Sequence, residues 1–126
     1  MNIKHLSTPL SVIQVAAFDP AWLTIKPLFL AQTPEECSIV LPTAAVPKET
    51  LAREDDWQAL MIVGVLDFSL VGILADLSGL LAAHQISIFA VSTYNTDYLL
   101  IKEQQIHHAK EILAAHGYTL VTESKS

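Results

Sequence analysis

The sequence contains a single cysteine, Cys37, which excludes an internal disulfide. No His and Cys residues have the spacing of a zinc site. The four glycines are isolated, so the chain has no Gly-rich phosphate-binding loop. Cys37 has no neighbouring His and lies beside a predicted strand, which indicates a buried structural thiol. With no catalytic set, metal site or cofactor motif, the sequence favours a protein that is not an enzyme.

Charged residues are also scarce, at 16% of the 126 residues, and the seven basic ones are scattered. They form no stripe that could neutralise phosphates, and the net charge is −6, so we expect no nucleic-acid partner. Apolar residues reach 52%, slightly above the usual range for a soluble domain. Because homo-oligomer interfaces are apolar, we expect at least a homodimer.

The run from Leu60 to Ala83 is apolar enough to raise the question of a membrane span. Asp67 and Asp76 interrupt it, each at a cost of about 2.5–3.5 kcal/mol at a bilayer centre. The apolar period also changes within the run, and we therefore expect no membrane contact. With one cysteine and no signal-peptide pattern after Lys4, we expect a cytoplasmic location.

Short apolar runs separated by turns fill residues 1–56. The first eight residues carry little pattern and are expected to fray. A helical turn is predicted at Trp22–Ile25, and strands are predicted at Leu10–Phe18, Leu28–Gln32 and Ser38–Leu41. The charge run Arg53–Asp56 is expected to be a solvated loop and marks the candidate domain boundary. The first half thus reads β-α-β-β followed by a weak turn.

Residues 57–126 alternate between strand and helix periods. A strand that is apolar on both faces is predicted over Trp57–Leu66, and helical spacing follows from Leu70 to Leu81. The remaining predicted elements are strands at Ile86–Thr93 and Tyr98–Lys102, a helix at Gln105–His116 and a strand at Tyr118–Glu123. This βαββαβ order is typical of an α+β, ferredoxin-like fold with both helices on one face of an antiparallel sheet. The sequence therefore predicts two tandem units, a degenerate one in residues 1–56 and a complete one in residues 57–126, and the last strand could complete either.

Polar and small residues gather at both ends of this second unit. The loop entering its first helix exposes free backbone N–H groups and the positive end of a helix dipole, which can bind a carboxylate. Asp67 and Asp97 could bind an ammonium group, and Gly72 would allow a ligand to approach closely. Neutral hydrogen-bonding groups come from Ser69, Ser92, Thr93, Asn95 and Thr96. Structural interpretations are also open, because Asp67 or Ser69 could be a helix N-cap, Asn95 a turn residue and Gly72 a residue that permits helix–sheet packing.

Two stretches of the second half, Leu66–Ile73 and Ile88–Leu100, occur in order and at a characteristic separation. They resemble the ACT domains of small bacterial tandem-ACT proteins, which are related to the regulatory ACT domains of aspartokinase and to the CASTOR arginine sensors. Phe29–Val40 resembles the first ACT half of the same proteins. Many ACT domains carry Asp-x-Pro-Gly in the first loop, whereas this sequence has no Pro between Asp67 and Gly72. That departure fits the aspartokinase-like branch.

The resemblance implies a regulatory, non-enzymatic protein that binds a small molecule, most often an amino acid, at an interface between two domains or subunits. The ligand would lie between the first strand-to-helix loop of one domain and the second strand of its neighbour. The candidate ligand-binding residues are Asp67, Phe68, Ser69, Leu70, Gly72, Ile73, Ser92, Thr93, Tyr94, Asn95 and Asp97. Two alternatives remain open, an oligomerisation module without a ligand and an enzyme of the dimeric α+β barrel type, because fold alone does not separate them.

Overall fold

The computed structural model describes residues 2–63 and 72–122, and the chain divides into two compact units. The N-terminal unit is Thr8–Trp57, and the C-terminal unit is Met1–Ser7 with Gln58–Ser126. The helices and strands are β1 (Asn2–Val15), β2 (Phe29–Gln32), β3 (Cys37–Pro42), β4 (Ala52–Val63), α1 (Ile73–Ala83), β5 (Phe89–Ser92), β6 (Asp97–Lys102), α2 (Glu103–Ala115) and β7 (Thr119–Thr122). Strands β1 and β4 each contribute residues to both units.

In the N-terminal unit the strand order is β2–β3–β1–β4, and β3 is antiparallel to both β1 and β2. Where a first helix would stand, the chain makes a 3₁₀ turn at Pro20–Thr24, and Asp19 Oδ1 caps it by accepting from the Ala21 N–H at 2.9 Å. The place of the second helix is taken by another 3₁₀ turn, Thr43–Ala45. The beginning of β4 supplies the fourth strand, which the sequence analysis did not assign.

The core of the N-terminal unit is small and faces the 3₁₀ turns. It contains Ile13, Val15, Cys37, Ile39 and Leu41, with Phe18 and Trp22 packed against it. The rings of Phe18 and Trp22 meet edge to face at a centroid distance of 5.4 Å, a favourable arrangement for aromatic pairs. Cys37 is a buried free thiol, as the sequence predicted.

In the C-terminal unit the strand order is β7–β1–β4–β6–β5, and both helices pack on one apolar core. On the helices, Leu77 and Leu81 of α1 and Ala109 and Leu113 of α2 are fully buried, at the four-residue spacing of a helix that buries one stripe. Strands β5 and β6 form an antiparallel hairpin, whereas β7 runs parallel to β1. The α+β, ferredoxin-like fold predicted from the sequence is confirmed.

The expectation that the first residues fray is wrong. Strand β1 begins at Asn2, and Asn2 to His5 pair with Thr119 to Thr122 of β7. Ile3 is buried in the core beneath the helices. The partner strand lies at the other end of the sequence, so no local pattern could reveal this pairing.

The expectation that Arg53–Asp56 form a solvated loop is also wrong, because β4 begins at Ala52 and runs through the charge run. The Nε of Arg53 lies 2.9 Å from Oδ1 of Asp55, and the same oxygen accepts a 2.6 Å hydrogen bond from the buried Ser11 hydroxyl. A strand can carry such charges where one face meets solvent. The charge run is therefore the solvated start of a strand.

The hairpins of the two units are related by a shift of 60 residues. Phe29 pairs with Val40 in one hairpin and Phe89 with Leu100 in the other. Each turn begins at a threonine, since the Thr33 N–H donates to the Glu36 carbonyl at 2.8 Å and the Thr93 N–H donates to the Thr96 carbonyl at 2.8 Å. The tandem plan is thus visible in strand pairing and turn geometry, although the N-terminal unit has no α-helix among its described residues.

Leu77→Ala should lower the free energy of unfolding by about 2–5 kcal/mol, because the side chain is buried between helix and sheet and its removal leaves a cavity. Urea unfolding followed by circular dichroism would measure the change. The matched control is Leu23→Ala, since Leu23 is 66% exposed, and its effect should stay within about 0.5 kcal/mol. Equal effects of the two substitutions would contradict the packing described for α1.

Candidate functional site

The candidate ligand-binding residues fall in two segments, and the structure describes one of them completely. Asp67, Phe68, Ser69 and Leu70 lie outside the described residues. Gly72 and Ile73 stand at the start of α1, and Ser92 to Asp97 form the turn between β5 and β6. The geometry of the site is therefore built from the start of the helix and from the hairpin.

Gly72 is the N-cap residue of α1 and has a φ of 101°. Its carbonyl oxygen accepts the first helical hydrogen bond, from the Asp76 N–H at 2.7 Å. Among the described residues, no atom lies within 4 Å of a Cβ added at Gly72. The positive φ is a sufficient reason for glycine here, because L residues with a side chain rarely adopt it.

The turn between β5 and β6 is closed by its own hydrogen bonds. The Thr93 hydroxyl and the Thr93 N–H both donate to the Thr96 carbonyl, at 3.1 and 2.8 Å. The Ser92 hydroxyl donates to Oδ1 of Asp97, which connects the last residue of β5 to the first of β6. Tyr94 and Asn95 are exposed at the tip. The turn is therefore a closed structure with a half-buried carboxylate at its base.

Thr96 attaches this turn to the neighbouring strand. Its side chain is buried, and its hydroxyl donates to the carbonyl oxygen of Ile62 in β4. Ile62 is the last residue but one of β4, which ends at Val63. The hydrogen bond thus holds the hairpin beside the end of this strand. The sequence analysis treated Thr96 as a general polar group, because nothing local indicates a contact with a residue 34 positions away.

Asp76, in the first turn of α1, accepts a hydrogen bond from the Tyr118 hydroxyl. Burial raises the pKa of Tyr118 to about 12, and the hydrogen bond to Asp76 and its negative charge act in the same direction. This pair fixes the first turn of α1 to the segment that leads into β7.

His5 is a buried titratable residue with a structural role. Its Nδ1 lies 3.1 Å from the Lys110 ammonium, which can only donate, so Nε2 carries the proton and donates to Gln58 Oε1 at 2.6 Å. Burial lowers the pKa of His5, and the hydrogen bond to Gln58 offsets this only partly while the charge of Lys110 adds to it. A neutral imidazole therefore completes the core at this edge of the C-terminal unit.

A cavity of about 610 Å³ in the N-terminal unit lies between the loop after β1 and the turn between β2 and β3. Its lining includes Ala16 and Phe18 from the loop and Thr33, Glu35 and Glu36 from the turn. Through the 60-residue shift, the turn at Thr33 corresponds to the turn at Thr93, so this cavity borders the counterpart of one of the two candidate segments. The sequence analysis did not assign it, although the matching threonines that begin the two turns would have been a signal.

The side chains and helices of the described residues were compared with what a metal site and a membrane-spanning helix require. Among residues 2–63 and 72–122, no three His, Cys, Asp or Glu residues are placed so that they could hold a metal ion together. Over the same residues, neither helix has the length and apolar character needed to cross a membrane.

Comparison with known families finds one match, in which residues 52–115 correspond to the ACT domain. This is just over half of the 126 residues. A comparison with curated proteins finds no significant match.

Solved structures share the fold over nearly the whole chain. Protein Atu0741 from Agobacterium tumefaciens is 24% identical with a TM-score of 0.89, and the match covers 98% of this chain and 94% of that one. VC0802 from Vibrio cholerae, described as a possible transport protein, is 19% identical with a TM-score of 0.72 over 90% and 88% of the two chains. The regulatory subunit of aspartate kinase from Thermus thermophilus is 10% identical with a TM-score of 0.64 over 91% and 96%.

Gly72→Ala should destabilise the fold by about 1–2 kcal/mol, because the backbone at this N-cap is left-handed. Gly79→Ala is the matched control, since an added Cβ also meets nothing within 4 Å there but the residue lies inside α1. That substitution should stabilise the fold by about 0.5–1 kcal/mol through helix propensity. Thermal unfolding of the two variants would test this, and a change of the same sign in both would contradict the assigned backbone geometry.

Proposed function

We propose that this chain, which belongs to the ACT domain family, is a non-enzymatic regulatory protein that binds an amino acid. The ligand would lie between the loop that leads from β4 into α1 and the turn between β5 and β6, across an interface between domains or subunits. The protein would act as a homodimer in the cytoplasm. The site would consist of Gly72, Ile73, Ser92, Thr93, Tyr94, Asn95 and Asp97, together with Asp67, Phe68, Ser69 and Leu70 of the loop.

The observation that carries this proposal is the hydrogen bond from the Thr96 hydroxyl to the Ile62 carbonyl. It holds the polar turn beside the end of β4, the strand that precedes Asp67 in the sequence. A buried side-chain hydrogen bond of this kind is costly to leave unmade, which gives the arrangement a fixed geometry.

The chemistry of the two segments fits an amino-acid zwitterion. The N-terminus of α1, an 11-residue helix, offers backbone N–H groups and a positive dipole end to a carboxylate. Ser92 bonds to Oδ1 of Asp97, which leaves Oδ2 to accept from an ammonium group. The carboxylate of the ligand would thus meet the positive end of the helix dipole, and its ammonium group would meet the carboxylate of Asp97.

Similarity to the Thermus thermophilus regulatory subunit of aspartate kinase supports a regulatory role. That protein is a regulatory subunit and shares the fold over nearly all of this chain. For the present chain, regulation would mean that ligand occupancy changes how the protein associates with a partner or with a second copy.

A thermal-shift screen against the common amino acids should identify a stabilising ligand. A ligand at about one hundred times its dissociation constant adds about 2.7 kcal/mol to the stability of the folded state. If no amino acid raises the melting temperature, the proposed ligand class is wrong. The chain would then fit an oligomerisation module without a ligand.

Asp97→Asn should weaken binding of that amino acid by about one to two decades, because a charge-assisted hydrogen bond contributes about 1.5–3 kcal/mol. The variant keeps an oxygen for Ser92 and so keeps the turn. Asp56→Asn is the matched control, because Asp56 is exposed at a φ of 70°, which Asn also tolerates. Calorimetry would compare the three proteins, and equal affinities in all of them would place the ammonium contact elsewhere.

A further inference from the structure

A groove of about 500 Å³ in the C-terminal unit lies over α1 and α2. Its lining includes His84, His108, His116 and Glu111, together with the apolar side chains of Leu80 and Ile112. None of the described residues that line it is a lysine or an arginine. The groove therefore combines imidazole groups with a carboxylate.

The tautomer of His84 is set by its own helix. Nδ1 of His84 lies 3.0 Å from the Leu80 carbonyl oxygen, which can only accept, so Nδ1 carries the proton. The lone pair is then on Nε2, at the outer edge of the ring. Metal-binding histidines are commonly oriented in this way, by a hydrogen bond from the other ring nitrogen to a carbonyl oxygen. His84 also follows the last turn of α1, so a metal cation bound to it would lie near the negative end of the helix dipole.

The rings of His108 and His84 are about as far apart as two imidazole rings that bind the same metal ion. The ring centroids are 6.2 Å apart and the ring planes are perpendicular at 90°. With metal–nitrogen bonds of about 2 Å, two imidazoles on one ion have centroids roughly 5–6 Å apart, so small side-chain rotations suffice. The core holds the backbone that carries the two rings. Leu81, three residues before His84, and Ala109, next to His108, are fully buried.

We propose that His84 and His108 form a two-histidine site for a divalent transition-metal ion, with Cu²⁺ bound more tightly than Ni²⁺ or Zn²⁺. Imidazole ligands suit all three ions, and affinity at a given nitrogen site rises towards copper. Since no three donors are preformed among the described residues, water would complete the coordination. Bound metal would connect the end of α1 to the middle of α2.

The test is a Cu²⁺ titration of the whole chain by calorimetry, at a pH above the usual histidine value of about 6.5, because protons compete for the ligands. His84→Ala and His108→Ala should each weaken binding by about 10–100-fold. His107→Ala is the matched control, because His107 is exposed on the same helix, pairs with Glu111 at 3.8 Å and does not line the groove. It should leave the affinity unchanged.

Electron paramagnetic resonance of the Cu²⁺ protein supplies a second readout. The parent protein should give hyperfine coupling to two imidazole nitrogens, and each single variant should give coupling to one. Circular dichroism would establish that the exposed substitutions leave the helices folded. The proposal is overturned if both groove variants bind Cu²⁺ as tightly as the parent, or if His107→Ala causes an equal loss.

Discussion

The C-terminal unit depends on burying the apolar stripes of two helices against its sheet. Leu77, Leu81 and Leu113 are inaccessible to solvent and contact the residues of β4 and β6 beneath them. A helix that buries one stripe has no freedom to rotate about its axis, so the other residues of α1 and α2 have fixed directions too. This constraint gives Gly72 its position at the start of α1 and sets the spacing of His84 and His108 on the outer face.

The N-terminal unit keeps the hairpin of the same plan but not its helices. The turns that begin at Thr33 and Thr93 are closed by equivalent backbone hydrogen bonds. The strand pairs around the two turns have the same register, and the numbers of equivalent residues differ by 60. Where the C-terminal unit has α1, the N-terminal unit has a single 3₁₀ turn, Pro20–Thr24. Fewer apolar residues are then buried, and an open cavity remains between the loop after β1 and the turn at Thr33.

The sequence predicted those parts of the fold that have a local signal. The period of 3.6 residues located α1 and α2, with limits of Ile73–Ala83 and Glu103–Ala115 against predicted limits of Leu70–Leu81 and Gln105–His116. The pairing of Asn2 with Thr119 escaped prediction, because strand partners far apart in sequence leave no mark on either segment. The charge run after Ala52 was misleading for a related reason, since Asp55 accepts a hydrogen bond from Ser11, which lies 44 residues earlier in the sequence.

The candidate site was predictable only in outline. Ser92, Thr93 and Asp97 were found as polar residues at the end of an apolar unit, and the structure places them in one closed turn. The anchoring role of Thr96 depends on a contact across the sheet and has no sequence signal. Gly72 was interpreted as room for a ligand, whereas its φ of 101° supplies a conformational reason for glycine at that position.

Hydrogen–deuterium exchange of the whole chain, with and without the amino acid that stabilises it most, tests the central claim most directly. Binding at the proposed site should slow the exchange of backbone amides in residues 64–76 and in the turn from Ser92 to Asp97. Exchange at the corresponding turn from Thr33 to Glu36 should stay the same in both samples. Slowed exchange confined to that N-terminal turn, or no change at either turn, would contradict the account.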